Sequence, residues 1–504
     1  MDDYVKEDMM TSILPAAVTY DGFDNLYIAG TWRPGGTGRF GEDLDPWSGE
    51  SVATIALADT SDVQEALESA RDAQKAWAKA SPGTRAQVLR RAAEILTARK
   101  AEITSWLIRE AGSTVGKAEF ELDLTRTGLY EAAGMTHHVT GQILPSDIPG
   151  KENRVYRAPL GVIAVISPWN FPLYLTNRSL APALALGNAV VLKPSEDSPI
   201  TGGLLLAKIF EEAGLPAGAL QVITHSRADA ADIGNYITTN PIPGFISFTG
   251  STRVGDVITQ KAGIKRLGLE LGGNAPIVVL ADADIDQAVN GSVYTSFLHQ
   301  GQICMSGNRL IVEAPIYDEF TERFTEKVRQ LPVGDPSDQS TFIGPIINKR
   351  QLDGILDKLE RARQSGAKEV LGGQPSGPSG LVLPPHVLLG DEETPTAVEE
   401  VFGPVITIIR AQDEADALRL ANKTEYGLSS AVFAGDLERG VRFAQQVEAG
   451  MTHVNDVSVE DEPHVPFGGE KNSGLGRFGG QWVLEEFTTV HWISVQREPR
   501  HYLG

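Results

Sequence analysis

One cysteine, Cys304, serves the whole 504-residue chain, and no uninterrupted run of about 18 apolar residues occurs in it. A lone thiol excludes an internal disulfide and a thiolate-built metal cluster, and it fits a reducing compartment. The nearest approach to a spanning segment, residues 160–175, is broken by Pro168, Asn170 and Pro172. Histidine is scarce as well. The nine present include no H-E-x-x-H pattern, and the adjacent pair His137-His138 would point apart, so no metal site is expected. Cationic residues number 44 against 66 acidic ones, and a net charge of −22 repels nucleic acid and anionic membrane. The first residues, Met-Asp-Asp-Tyr-Val-Lys-Glu-Asp, carry neither the basic region nor the apolar core of an export leader. The expectation is a soluble, cytoplasmic protein with no metal, nucleic-acid or membrane partner.

What is present can build large cores: 41% of the residues are hydrophobic and 22% charged, and the length suggests about three domains. Val63, Ala66, Leu67, Ala70 and Trp77 recur at helical spacing, and Ser61 with Gln64 forms a capping-box pattern at the start of that helix. A second box, Thr84 with Gln87, predicts a longer helix stopping near Gly112. Beyond Pro159, short β-rich runs at 161–167, 189–193, 221–224, 245–249 and 275–280 alternate with helices such as 201–213. Strand, crossover helix and strand in repetition predict an α/β fold with a parallel sheet covered on both faces. Further on, 405–410 and 431–433 read as strands flanking a helix at 414–421. The run Val387-Leu388-Leu389 is too brief to assign, and the Gly/Pro/Ser-rich segment 372–385 reads as a loop.

Cys304 lies in Gln300-Gly-Gln-Ile-Cys-Met-Ser-Gly-Asn-Arg309. A free cysteine commonly packs as a small hydrophobe. Here two glycines, two glutamines, a serine and an asparagine lie within five residues, a polar and turn-forming setting. A thiol so placed is a nucleophile if the site lowers its pKa from about 8.5. Phe248-Thr-Gly-Ser-Thr-Arg-Val-Gly255 ends a strand, turns at glycine and opens a helix, as anion-binding turns in α/β sheets do. Its glycine spacing is neither G-x-G-x-x-G nor a P-loop, so taken alone the segment reads first as an ordinary strand-to-helix turn.

Seven segments occur in a telling order: Pro168-Trp-Asn-Phe-Pro172, Lys193-Pro-Ser-Glu196, Phe248-Thr-Gly-Ser-Thr252, Leu269-Glu-Leu-Gly-Gly273, Gly301-Gln-Ile-Cys304, Glu400-Val-Phe-Gly-Pro404 and Pro466-Phe-Gly-Gly469. In order and spacing the chain resembles the aldehyde dehydrogenase superfamily over about residues 25–495. The resemblance implies Cys304 as nucleophile, Glu270 as general base, and Asn170 with the Cys304 backbone N–H as oxyanion hole. It implies NAD as cofactor. Lys193 and Glu196 would take the adenosine ribose, Gly250 and Ser251 the pyrophosphate with Trp169 close by, and Glu400 and Phe402 the nicotinamide ribose and ring. A carboxylate at Glu196 accepts from a free 2′-hydroxyl and repels a 2′-phosphate, which favours NAD over NADP.

The resemblance also implies an aldehyde dehydrogenase fold: a Rossmann-like NAD domain from 1–139 and 160–270, an α/β catalytic domain from 271–486, and a β oligomerisation arm from 140–159 and 487–504. Such an arm would make a homodimer or homotetramer. The segment 166–180 looks most like the bacterial branch acting on aromatic aldehydes such as benzaldehyde and vanillin, with Tyr174 and Phe467 as flat walls. Arg178 stands where semialdehyde dehydrogenases carry a carboxylate-binding arginine, although a structural salt bridge fits it equally. An esterase would need Cys304 but not the Lys193–Glu196 pair, and a non-catalytic protein would need none of Cys304, Asn170 and Glu270.

Overall fold

A computed structural model describes residues 19–502. The amino-terminal residues read for an export leader, the first 18 residues of the expected NAD domain and the last two of the expected arm lie outside the described residues. Within them, no helix is long and apolar enough to cross a membrane.

The first sheet has eight strands, five of them parallel neighbours in the order Leu220–Val222, Ala189–Lys193, Val162–Ile166, Pro243–Thr249 and Arg266–Glu270. Its two central strands are valine-, isoleucine- and leucine-rich and wholly buried, as a sheet covered on both faces requires. Helices Pro82–Ala98, Val115–Met135 and Pro172–Ala185 pack their apolar sides into one core with Leu192, Leu205 and Phe245. Helix Thr60–Trp77 packs Val63, Ala66, Leu67 and Ala70 into a second core on the other face.

The chain winds outward from Val162–Ile166 through Ala189–Lys193, then returns to the other side of Val162–Ile166 with Pro243–Thr249. That reversal opens a crevice at the carboxyl ends of the strands, where open α/β sheets bind ligands. Register sets what lines it: Ile166 faces Lys193 and Phe248, and Thr249 faces Glu270. Four of the sequence motifs therefore leave the sheet at one level.

The second sheet has seven strands, in the order Lys368–Leu371, His386–Gly390, Val405–Ala411, Gly307–Glu313, Ala275–Val279, Ala431–Phe433 and His453–Val454. All neighbours run parallel except the first pair. Only residues 271–274 separate the last parallel strand of the first sheet from Ala275–Val279. The carboxyl end of one sheet thus meets the amino end of the other.

A third, three-stranded sheet sets Lys151–Pro159 between Gln142–Leu144 and Thr488–Gln496. Its side chains are unusually bare: Ile143 is 75% exposed and Trp492 61%.

Several local expectations shift. The first helix starts at Thr60, capped by Asp59, and Asp62 rather than Gln64 completes the capping box. The next helix starts at Pro82 with Ser81 as cap, and what reads as one helix to Gly112 is two, Pro82–Ala98 and Lys100–Ala111. His386–Gly390 is a strand completed by its parallel partner Val405–Ala411.

Candidate active site

The ten residues singled out as catalytic or cofactor-binding line one cleft of about 660 Å³ between the two sheets. At its inner end Cys304 follows a tight turn in which His299, Gln300 and Gly301 all have positive φ (49°, 56° and 68°). Only glycine fits at 301, because a Cβ would collide with the Gly403 carbonyl oxygen. Gln300 secures the turn by donating to the Pro345 carbonyl (2.9 Å), and Gln302 accepts from the Ile347 N–H (3.0 Å). Gly273 has the same logic: a Cβ there would strike the Cys304 carbonyl oxygen. The glycine pair after Leu271 therefore lets the Glu270 strand pass against the Cys304 loop.

Asn170 donates through Nδ2 to the Gln302 carbonyl (3.0 Å), which holds its amide on the Cys304 loop and leaves a second N–H to offer. Its own carbonyl accepts from Lys117 Nζ at 2.7 Å. Lys117 is wholly buried beside an equally buried partner, Glu121, whose Oε1 accepts from the Leu173 (2.8 Å) and Tyr174 (3.1 Å) N–H groups. Helix Val115–Met135 thus braces the Pro168–Pro172 loop from behind. Sequence reasoning missed this pair, since Lys and Glu four apart on a helix ordinarily face solvent.

Electrostatics at this end run toward the neutral forms. Glu270 is 2% exposed, and neither carboxylate oxygen has a hydrogen-bond partner. Burial raises it to about 8, against the opposing pull of Arg178. Burial likewise pushes the Cys304 thiol up to about 12, with Arg178 opposing and Glu270 and Glu400 adding to the rise. The polypeptide alone therefore does not meet the condition of a lowered thiol pKa. Glu400 accepts from the Gly273 N–H (2.9 Å) and is raised by burial to about 7. Phe402, at φ 55°, meets Trp169 edge to face at 5.4 Å.

At the outer end, strand Ala189–Lys193 delivers Lys193, 6% exposed and lowered by burial to about 8. Burial pushes Glu196 up, but its own backbone N–H, His225, Arg227 and Lys193 together hold it below the usual carboxylate range. Ser251 caps helix Thr252–Lys261 without a side-chain bond to the helix N–H groups. Free N–H groups at the start of helix Thr252–Lys261, with a lysine and a carboxylate at the end of strand Ala189–Lys193, suit a dinucleotide: pyrophosphate on the first, ribose hydroxyls on the others.

The three substrate-wall candidates lie just behind Cys304 rather than in the cleft itself. Tyr174 and Phe467 belong to an apolar cluster with Phe171, Leu298, Ile303 and Val459, against which Cys304 packs. Arg178 does not offer a free guanidinium. It pairs with Asp461 (3.2 Å, both side chains 6% exposed) and lies 4.0 Å above the Phe467 ring, while the Tyr174 hydroxyl donates to the same Asp461 (2.9 Å). The structural salt bridge is what the fold builds. Asp461 was not legible in the sequence because its loop carries no local signal beyond acidity.

Residues 32–493 match the model of the aldehyde dehydrogenase family. The chain belongs to that family. It is 48% identical to a vanillin dehydrogenase of Corynebacterium glutamicum over 95% of this chain and 99% of that protein. The crystal structure of an NAD-dependent benzaldehyde dehydrogenase from the same organism superimposes with a TM-score of 0.87 at 44% identity, covering 97% of this chain and all of that one. A salicylaldehyde dehydrogenase from Pseudomonas putida G7, solved with salicylaldehyde, gives 0.92 at 37% identity over 95% and 99% of the two chains. This aldehyde dehydrogenase family member therefore shares fold and length with enzymes named for aldehydes carried on an aromatic ring.

Proposed function

We propose that the protein oxidises an aromatic aldehyde of the benzaldehyde or vanillin kind to its carboxylic acid with NAD, through a thioester on Cys304. The observation that carries this reading is the single cleft that joins Cys304, Glu270 and Asn170 to the Lys193–Glu196 strand ends. Bound NAD supplies the hydride acceptor; the remaining chemistry falls to this chain.

Cys304 gives up its thiol proton, the one released in the net reaction, and adds as thiolate to the aldehyde carbon; the alkoxide formed is held by the Asn170 side chain and the Cys304 backbone N–H. Two such donors matter, since loss of one costs on the order of 10²–10³ in rate. After hydride loss the carbon is a thioester. Glu270, with no partner to satisfy its oxygens, takes a proton from water, and the water oxygen adds to the thioester to release acid and thiol. The balance is aldehyde, NAD and water to acid, NADH and a proton. The apolar cluster of Phe171, Tyr174, Ile303, Val459 and Phe467 against Cys304 favours a flat ring. A semialdehyde would need a free cation, and Arg178 is already engaged by Asp461.

The reading includes the domain division at 139, 160, 270 and 486, and a homo-oligomer built through the third sheet. Cross-strand register places Ile143, Arg154 and Ile493 in one row on one face of that sheet, with both isoleucines exposed on either side of the arginine. Light scattering at micromolar concentration should give a dimer or tetramer, and a monomer would contradict the arm. For the activity, absorbance at about 340 nm with NAD should rise faster with benzaldehyde or vanillin than with succinate semialdehyde or a linear aldehyde. Higher catalytic efficiency on the semialdehyde would overturn the aromatic assignment.

A further inference from the structure

The sequence treats Glu196 as a lone charge that a 2′-phosphate must avoid, but the fold gives it a partner. Arg227, five residues after the end of strand Leu220–Val222, reaches back with Nη1 3.2 Å from Glu196 Oε1. Its Nη2 is held at 2.5 Å by Asp197 Oδ1, and Asp197 is fixed in turn by Asn348 Nδ2 at 3.1 Å. The guanidinium is thus anchored from the protein side. Its side chain remains 41% exposed and lines the cleft beside Lys193 and Glu196. Five N–H donors are available on an arginine, and only two of these contacts use them.

We propose that Arg227 is a specificity-determining residue that lets this end of the cleft take a 2′-phosphorylated dinucleotide as well as NAD. The proposal rests on the reading of Lys193 and Glu196 as the ribose-binding pair. With a free ribose, Glu196 accepts from the hydroxyls while Arg227 stays paired to it. A 2′-phosphate carries about −1.5 to −2 charge and three acceptor oxygens, which compete with Glu196 for Nη1. The two cations, Lys193 and Arg227, then offset the repulsion from Glu196, and Asp197 keeps the guanidinium from swinging away. Arginine suits this exchange because its planar fork serves two anions at once. His225, the remaining ionisable group facing Glu196, is lowered by burial to about 4 and adds no charge at neutral pH.

The test titrates NADH and NADPH by fluorescence into the full-length protein without aldehyde, so the readout is binding rather than turnover. In the wild type the two dissociation constants should lie within about tenfold of each other, closer than one uncompensated carboxylate allows. Arg227→Gln should weaken NADPH about tenfold and NADH less than about threefold, and Arg227→Lys should restore part of the loss. Equal weakening of both, or of neither, overturns the proposal. Glu196→Gln separates the two layers. If it changes neither affinity, the ribose reading fails, whereas a selective gain in NADPH affinity leaves that reading intact and Arg227 to be judged on its own variants.

Discussion

At the Cys304 end of the cleft burial outweighs the charge of the nearby Arg178, whereas at the Lys193 end acids and bases interleave. Glu270 has two buried oxygens with no partner, and Glu270, Cys304 and Glu400 are all pushed toward their neutral forms. Glu196 and Asp197 share Arg227, and Glu196 ends below its ordinary range instead of above it. Glu270, which must exchange protons, is left unsatisfied, whereas Glu196, which only holds a ligand, is satisfied in advance. The desolvation of Glu270 costs stability.

The sharpest break in this contrast is Cys304→Ala. It should remove dehydrogenase and esterase activity together, by on the order of 10⁴ or more, with NADH affinity unchanged by fluorescence titration. Wild-type NADH production by that variant would refute the nucleophile. Next in size, Glu270→Gln should lower kcat by on the order of 10²–10⁴. The wild-type pH profile belongs to the same prediction. Because burial raises Glu270 to about 8 and the base must be ionised, kcat should climb as pH rises through about 8, and Glu270→Gln should lose that limb. Asn170→Ala should cost on the order of 10²–10³ in kcat/KM. Lys117→Met, which removes the cation bonded to the Asn170 carbonyl and strands Glu121, should lower stability by about 3–5 kcal/mol in denaturant melts.

The smallest effect tests the stability side. The unfolded Glu270 ionises near 4.5 and the folded one near 8, so between those values unfolding releases a proton and stability falls as pH rises. Glu270→Gln removes that penalty. Its thermal midpoint should exceed wild type by about 1–3 °C at pH 9, with the gap nearly closed at pH 5. A gap that is the same at both pH values would show that Glu270 is not desolvated as described.

Much of the architecture was legible because it depends on local pattern. The runs Ala189–Lys193 and Ala431–Phe433 read as strands from β-branched density alone, and both are strands with those bounds. The break at Arg99 was not legible, since no glycine or proline marks it and the chain resumes helix one residue later. His386–Gly390 needed its parallel neighbour, which lies 15 residues further on. The motif residues could be read because close backbone approach forces glycine, as at Gly273 and Gly301. Lys117, Glu121, Arg227 and Asp461 could not. Each is a charged residue whose meaning comes from what is packed over it, and burial is a tertiary property. The rise at Cys304 could not be read for the same reason: polar neighbours in sequence do not keep a thiol hydrated once two sheets close over it.

The most direct test of the division of labour is rapid mixing of Glu270→Gln with NAD and benzaldehyde, followed at about 340 nm. Cys304 and Asn170 are intact in that variant, so the thioester should still form while its hydrolysis stalls. The account predicts a burst of about one NADH per subunit followed by slow turnover. Steady turnover at the wild-type rate with no burst would contradict it, because Glu270 would then not be the group that activates water.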